Sequence, residues 1–398
     1  MQILMFKTYF FEYLLIKIIF KKNLNLKFMR TFFILFFSIA LLSVKAQDTT
    51  LSLLFMGDIM GHDSQIHSAL QSDGTYDYSE VFKYVTNEIS SVDIAIANLE
   101  VTLAGPPFKG YPQFSSPDAL AVAAKQAGID ILCTANNHSV DRRRQGVVRT
   151  IKILDSLQIT HTGTFLSKEE RAKKYPLTVN KNGFKTVILN YTYGTNGIPV
   201  PKPVVVNIID TNIIKSDLQK AKNQNPDIII VFIHWGSEYQ HQPNKEQKKI
   251  AGVCFNNGAN LVIGSHPHVI QKSELIQDSI LPQFITYSLG NFISNQRKRY
   301  TDGGQMIKIV LEKRNDSIFI TQNGYFLTWV YTPVIKGKKH FHILPAAIFE
   351  LNPDFFISKE HYNKMTLFVK DSRELLNSYN KNVGEYLYYN KKWIAPEK

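Results

Sequence analysis

Five apolar runs in this chain stop abruptly on residues that carry carboxylate, amide or imidazole groups. Residues 51–56 run into Gly57 and Asp58, and residues 93–97 into Asn98 and Glu100. Residues 129–134 lead to Asn136, Asn137 and His138, residues 228–233 to His234, and residues 261–263 to His266 and His268. An unbroken apolar run too short for a helix reads as a strand buried on both faces, the kind that parallel sheets use. Helical segments fit at 115–127, 146–157 and 245–257, and further strands at 186–191, 283–288 and 306–312. Strand, polar loop and helix in alternation predict an α/β domain rather than a β-sandwich. The Pro-rich stretch 199–203 and the loop 194–197 then serve as crossovers or rim loops. In an α/β fold the loops beyond the carboxyl ends of the strands gather at one crevice, so polar groups far apart in sequence share one site.

The chemistry of those groups is coherent. Asp58, Glu100, Asn137, His138, His234, His266 and His268 offer carboxylates, an amide oxygen and imidazoles, the donors expected around a pair of divalent transition-metal ions, with no thiolate needed. Asx turns and helix caps account for Asn98 and Asn136. They do not account for the His-Pro-His segment together with His234.

The motifs GDIM, NLE, NNHSVD, HWGSEY and GSHPHV, in that order, resemble those of the CapA family of capsule and poly-gamma-glutamate synthesis proteins, whose fold is similar to that of calcineurin-like metallophosphatases. The resemblance covers residues 51–312. It implies a four-layer αββα sandwich of mixed sheets with a small C-terminal α+β extension, and two divalent ions (Mn, Fe or Zn) held by Asp58, Glu100, Asn137, His234, His266 and His268. Glu100 takes the place of a bridging aspartate, and His138 that of the adjacent acid or transition-state-stabilising group. One position departs from the phosphatase pattern, because Met60 stands two residues after Asp58 where an Asp-x-His pair is usual. His62, four residues after Asp58, is the candidate replacement ligand. Without it one metal site is a ligand short.

Around this set, Trp235 and Tyr239 are expected to line a substrate cleft, with aromatic core packing as the other account of them. Glu238 either orients a metal ligand or binds an amine. Asp141 holds His138 or caps the helix that follows. Asn291, in the segment SLGNFIS, is expected to shape the cleft, and Arg142 to Arg144 read by default as a solvated helix face.

The net charge of +13 suggests a polyanion partner only until it is located: residues 1–46 hold seven Lys and Arg against one Glu, leaving +7 for the rest. Within them, Arg30, the apolar stretch 31–42 and the small residues around Ala46 read as a secretory signal peptide, with an uncleaved membrane anchor as the alternative. Residues 1–28 extend its basic start or lie ahead of the true initiator at Met29. The expected organisation is therefore a targeting segment (1–46), a metal-site domain (49–312) and an extension (313–398) with a hairpin turning at Asn323-Gly324 followed by a tail. Cys133 and Cys254 lie in apolar runs, where buried thiols are the plainer reading than a disulfide.

The functional expectation is a secreted or periplasmic metal-dependent hydrolase or transferase in surface-polymer synthesis, with an anionic polymer or its precursor and membrane polymer-synthase subunits as partners and no nucleic acid. A non-enzymatic polymer-binding or assembly subunit and a phosphoesterase are the alternatives.

Overall fold

The structure, a computed structural model, describes residues 49–276, 282–315 and 317–397, and the targeting segment lies outside the described residues. No helix among the described residues is long and apolar enough to cross a membrane. The apolar runs form β1 (Thr49–Ile59), β2 (Ile94–Leu99), β3 (Ile131–Cys133), β7 (Phe184–Thr192), β9 (Ile228–His234) and β10 (Leu261–Ser265). They are joined by β4 (Thr160–Thr162), β6 (Leu177–Lys181), β11 (Ser273–Ile276), β12 (Gln283–Thr286), β13 (Asn291–Ile293), β14 (Gly303–Arg314) and β15 (Ser317–Tyr331). A short ribbon of β5 (Thr164–Phe165) and β8 (Val205–Val206) stands apart.

One sheet runs, edge to edge, from the strand His342–Pro345 through β15, β14, β1, β2 and β3 to β4. The other runs β11, β12, β10, β9, β7, β6. Both are mixed: β1 pairs parallel with β2 and antiparallel with β14, while β9 lies parallel between β7 and β10 and β6 closes an antiparallel edge.

Strand side chains alternate between faces, and here the alternation sorts residues into layers. Leu51, Leu53, Phe55, Ile94 and Ile96 of the first sheet pack with Ile188, Ile230, Phe232, Leu261 and Ile263 of the second. The opposite parity of the first sheet, Leu54, Met56, Ala95 and Ala97, faces Phe82, Leu120 and Ala124 on helical segments. On the far side, Val187, Leu189, Val231 and Ile233 face Ile214, Leu218, Ile250 and Cys254 of the helices Thr211–Lys222 and Lys245–Asn256. Helix, sheet, sheet and helix therefore stack in four layers, as expected. Both cysteines are buried free thiols in different layers, Cys133 between the sheets and Cys254 outside them.

Helix limits follow local chemistry. The helix Lys245–Asn256 starts at an Asn244/Gln247 capping box, close to the expected start. The helix expected from residue 115 begins only at Ala119, because Ser115 pairs with Lys109 in a bridge and Pro117 precedes the first turn.

The hairpin expected at Asn323-Gly324 turns elsewhere. Residues 49–397 form one compact unit, and the boundary at 312/313 falls inside a β-hairpin whose two strands both belong to the first sheet. The hairpin turns around Asn315, while Asn323 and Gly324 lie within β15, paired with Ile309 and Lys308. Gly324 is there for contact rather than for a turn. A Cβ on it would come within 2.8 Å of the Gly384 carbonyl, because the strand Gly384–Glu385 docks alongside.

Candidate metal centre

The site lies at the carboxyl ends of β1, β2, β3, β9 and β10. Asp58 is delivered by a defect in β1: the β1–β2 register slips between Met56 and Asp58, and Gly57 lets the Gly290 carbonyl come within 2.0 Å of where a Cβ would stand. Such a bulge re-aims the next side chain. Asp58 is fully buried, accepts from the Asn98 amide (2.7 Å) and from the His266 backbone N–H (3.3 Å), and lies 3.3 Å from His268 Nδ1.

Among the described residues, three overlapping groups of side chains converge closely enough to hold ions: Asp58 with Glu100 and His268, Glu100 with His234 and His266, and Glu238 with His266 and His268. Glu100 belongs to two of them. His234 Nε2 meets Asn137 Oδ1 at 2.9 Å and Glu100 Oε1 at 3.5 Å. His268 Nε2 lies 3.9 Å from the same Glu100 oxygen.

The opposite ring nitrogens are tied down. His234 Nδ1 is hydrogen-bonded with Ser265 Oγ (3.0 Å), and His268 Nδ1 donates to Asn291 Oδ1 (3.0 Å), the pattern by which ligating imidazoles are oriented. His266 and His268 both adopt positive φ, +102° and +58°, a conformation that costs about 1–3 kcal/mol per non-glycine residue and concentrates at functional sites.

Whether these residues fit divalent metal is answered by atoms that have nothing else to do. Both carboxylate oxygens of Glu100 are buried and accept no hydrogen bond, and His266 Nδ1 is buried without a partner. A buried carboxylate without donors is costly. Burial first, and the neighbouring Asp58 second, push the Glu100 carboxyl well above its usual 4.5. Burial, then neighbouring imidazoles, push His234 well below 6.5, and burial first brings His266 down to about 3. Neutral imidazoles are the ligating form. The donor set fits a binuclear divalent-metal site.

Beside it, His138 Nδ1 donates to Asp141 Oδ2 (2.7 Å), which also accepts from the Phe114 backbone N–H (2.7 Å). The Phe114 ring packs edge-on against His138, with centroids 4.7 Å apart.

Three other expected residues take different places. Trp235 does not line a cleft: it is 1% exposed, stacks on Tyr287 and donates to the Tyr287 carbonyl (3.0 Å), because it follows β9 on the face turned to the outer helices. Asn291 is wholly buried rather than facing substrate, since β13 pairs with β1 and sets Asn291 opposite Asp58, from where it grips His268. His62 belongs to none of the three groups; its Nδ1 accepts from the Asn295 N–H (3.3 Å), and burial lowers it to about 4. Tyr239 is exposed at the rim, 6.2 Å from the His268 ring. Arg143 and Arg144 are exposed at the start of the helix Arg143–Ser156.

Sequence reasoning passed over Tyr193, whose half-exposed ring stacks on His234 and lies 4.5 Å from the His266 ring, and Asn196, which accepts from the Asn137 amide (3.3 Å). The signal was present: Tyr193 follows the buried strand β7 just as His234 ends β9. Asn98, read as a turn residue, instead donates to Asp58.

A family model described as "Bacterial capsule synthesis protein PGA_cap" matches residues 52–296. Similar proteins include the capsule biosynthesis protein CapA of Bacillus anthracis, 26% identical over 283 residues, which cover 68% of this chain and 66% of that protein. The PGA biosynthesis protein CapA of Bacillus subtilis (strain 168) is 28% identical over 283 residues, covering 68% and 70%. The chain thus spans about two thirds of the length of these relatives. Among solved structures, the calcineurin-like phosphoesterase YfkN from Bacillus subtilis is similar at 12% identity and a TM-score of 0.40, covering 82% of this chain and 99% of that one.

Proposed function

This chain belongs to the bacterial capsule synthesis protein (PGA_cap) family, and from that premise we propose that it is an exported, metal-dependent hydrolase or transferase acting on an anionic surface polymer of the capsule or poly-gamma-glutamate type. The observation that carries the reading is Glu100, a buried carboxylate with both oxygens unpaired, set among His234, His266, His268 and Asp58. Asp58, Glu100, Asn137, His234, His266 and His268 would hold a pair of divalent ions there, which would supply an activated water, its pKa lowered towards about 7, and charge to polarise the electrophile.

The residues of the chain supply the rest. His138, whose Nδ1 is held by Asp141, serves as the group that places a proton on the departing nitrogen or oxygen. Tyr193 and Tyr239 form an aromatic rim over the histidines, limiting water and giving an extended chain surfaces to lie on. Asn98, Ser265 and Asn291 hold the ligands in one arrangement before any substrate arrives, so no reorganisation is needed during the reaction.

The test is turnover by the metal-loaded protein on a panel of gamma-glutamyl polymers, peptides and phosphoesters, with His234→Ala and His266→Ala as comparisons. Loss of a wild-type activity in both variants, with unchanged circular dichroism, is the expected result. If the wild-type protein turns over nothing on the panel while binding polymer, it acts as an assembly subunit and the enzymatic reading fails.

A further inference from the structure

The two halves of the metal centre are unequally supplied. On one side, Glu100, His234 and His266 converge, with Asn137 Oδ1 2.9 Å from His234 Nε2. On the other stand Asp58, Glu100 and His268. The residue two after Asp58 does not help, because Met60 is 2% exposed and packs in the outer core with Phe82 and Phe114. His62 is held by Asn295 through its Nδ1. One side chain outside this set approaches: Glu238 groups with His266 and His268, and it is exposed where they are buried.

The approach of Glu238 is built into the backbone. Gly236 turns at φ +93° against the Gln247 side chain, and Tyr239 at φ +64° donates its N–H to the Pro267 carbonyl (2.8 Å), between the two histidines. The next residue is held too, since the Gln271 amide donates to the Gln240 carbonyl (2.7 Å). The segment carrying Glu238 is thus stitched to the segment carrying His266 and His268, and the carboxylate hangs over them from the solvent side.

We propose that Glu238 is a metal ligand, supplying the His268-side ion with the fourth protein donor that Met60 does not provide. That makes the two halves chemically different. Glu238 groups with His266 as well as His268, and the donor that Met60 fails to supply is what assigns it to the His268-side ion; added to Asp58, Glu100 and His268 it makes three carboxylates and one imidazole, a set that favours a hard ion such as Mn²⁺ or Mg²⁺, whereas two imidazoles on the other side suit Zn²⁺ or Fe²⁺. Because Glu238 is exposed, its ion is also the one open to exchange. The inference rests on the binuclear reading of the site.

Calorimetric titration of the chelated protein with Mn²⁺, with electron paramagnetic resonance of the loaded samples, tests it without any substrate. Wild type is expected to bind two ions and to show the spin-coupled spectrum of neighbouring Mn²⁺. Glu238→Gln is expected to weaken one ion at least tenfold, leave the other unchanged, and give the spectrum of an isolated ion. Glu238→Asp should fall between. Two ions of unchanged affinity in Glu238→Gln, or equal weakening of both, would overturn the assignment. A wild-type protein that binds no ion would instead sink the binuclear reading beneath it.

Discussion

Two clusters of charged groups in this molecule treat burial in opposite ways. Arg373, on the helix Lys359–Tyr379, reaches both oxygens of Glu350 (2.7 Å each) and both of Glu385 (2.7 and 2.8 Å), tying that helix to the neighbouring segments 346–350 and 384–385. Every carboxylate oxygen there has a partner. At the metal centre neither Glu100 oxygen accepts a hydrogen bond, although Glu100 is more deeply buried. A charge network that closes on itself holds structure together, whereas one left open marks where the molecule expects a ligand.

That contrast breaks first on metal. At an excess of about a thousand times Kd, each ion that binds only the folded state should add about 4 kcal/mol, so chelation should lower the melting temperature by many degrees. A melting temperature indifferent to chelator would remove the distinction. Next, Arg373→Met should cost about 2–4 kcal/mol by leaving two carboxylates with lost partners, and should do so equally with and without metal; denaturant titration under both conditions checks this.

Glu100→Gln should act with the opposite sign on the apo protein. Its carboxyl is raised above 4.5 in the fold, so the stability tied to its protonation is fully present below that value and is lost as pH climbs through the folded pKa. The substitution should raise apo stability by about 1–3 kcal/mol at neutral pH and flatten this fall, while abolishing high-affinity metal binding. Denaturant unfolding of chelated wild type and variant across pH 4 to 8 would show whether the two slopes differ; equal slopes defeat the idea. Asn291→Ala, removing the acceptor that fixes His268, should weaken metal affinity about 10- to 100-fold as read by titration, and should lower apo stability by about 1–3 kcal/mol because the buried Asn291 amide also donates to the Thr301 carbonyl (2.8 Å).

Much of the fold was legible because buried parallel strands write themselves as unbroken apolar runs. Residues 228–233 could be little else, and the chemistry at the ends of such runs pointed to a shared crevice. The C-terminal region was less readable. The Asn323-Gly324 pair has the composition of a tight turn, yet its glycine serves a close approach by Gly384 that no local pattern announces. Trp235 was ambiguous for a similar reason: its position after β9 allowed either a cleft or a core, and only the helices packed outside the second sheet decide for the core.

In the candidate site the donors were visible and their supports were not. A carboxylate or an imidazole at a strand end is a local fact, so Asp58, Glu100, His234, His266 and His268 could be named from the chain alone. Which atoms orient them depends on strand register across distant segments. Asn291 faces His268 because β13 pairs with β1, and Asn98 reaches Asp58 because β2 slips one residue past it.

The sequence by itself determined the buried strands, through their unbroken apolar runs, and the donor types, through the residues at which the runs end. Tertiary structure decided the partition of those donors between two unequal sites, the burial that leaves Glu100 unpaired, and the stitching that brings Glu238 over the histidines. The reason is one of range: side-chain period is set by neighbours in the chain, whereas desolvation and coordination are set by whatever the packed sheets bring within a few ångströms.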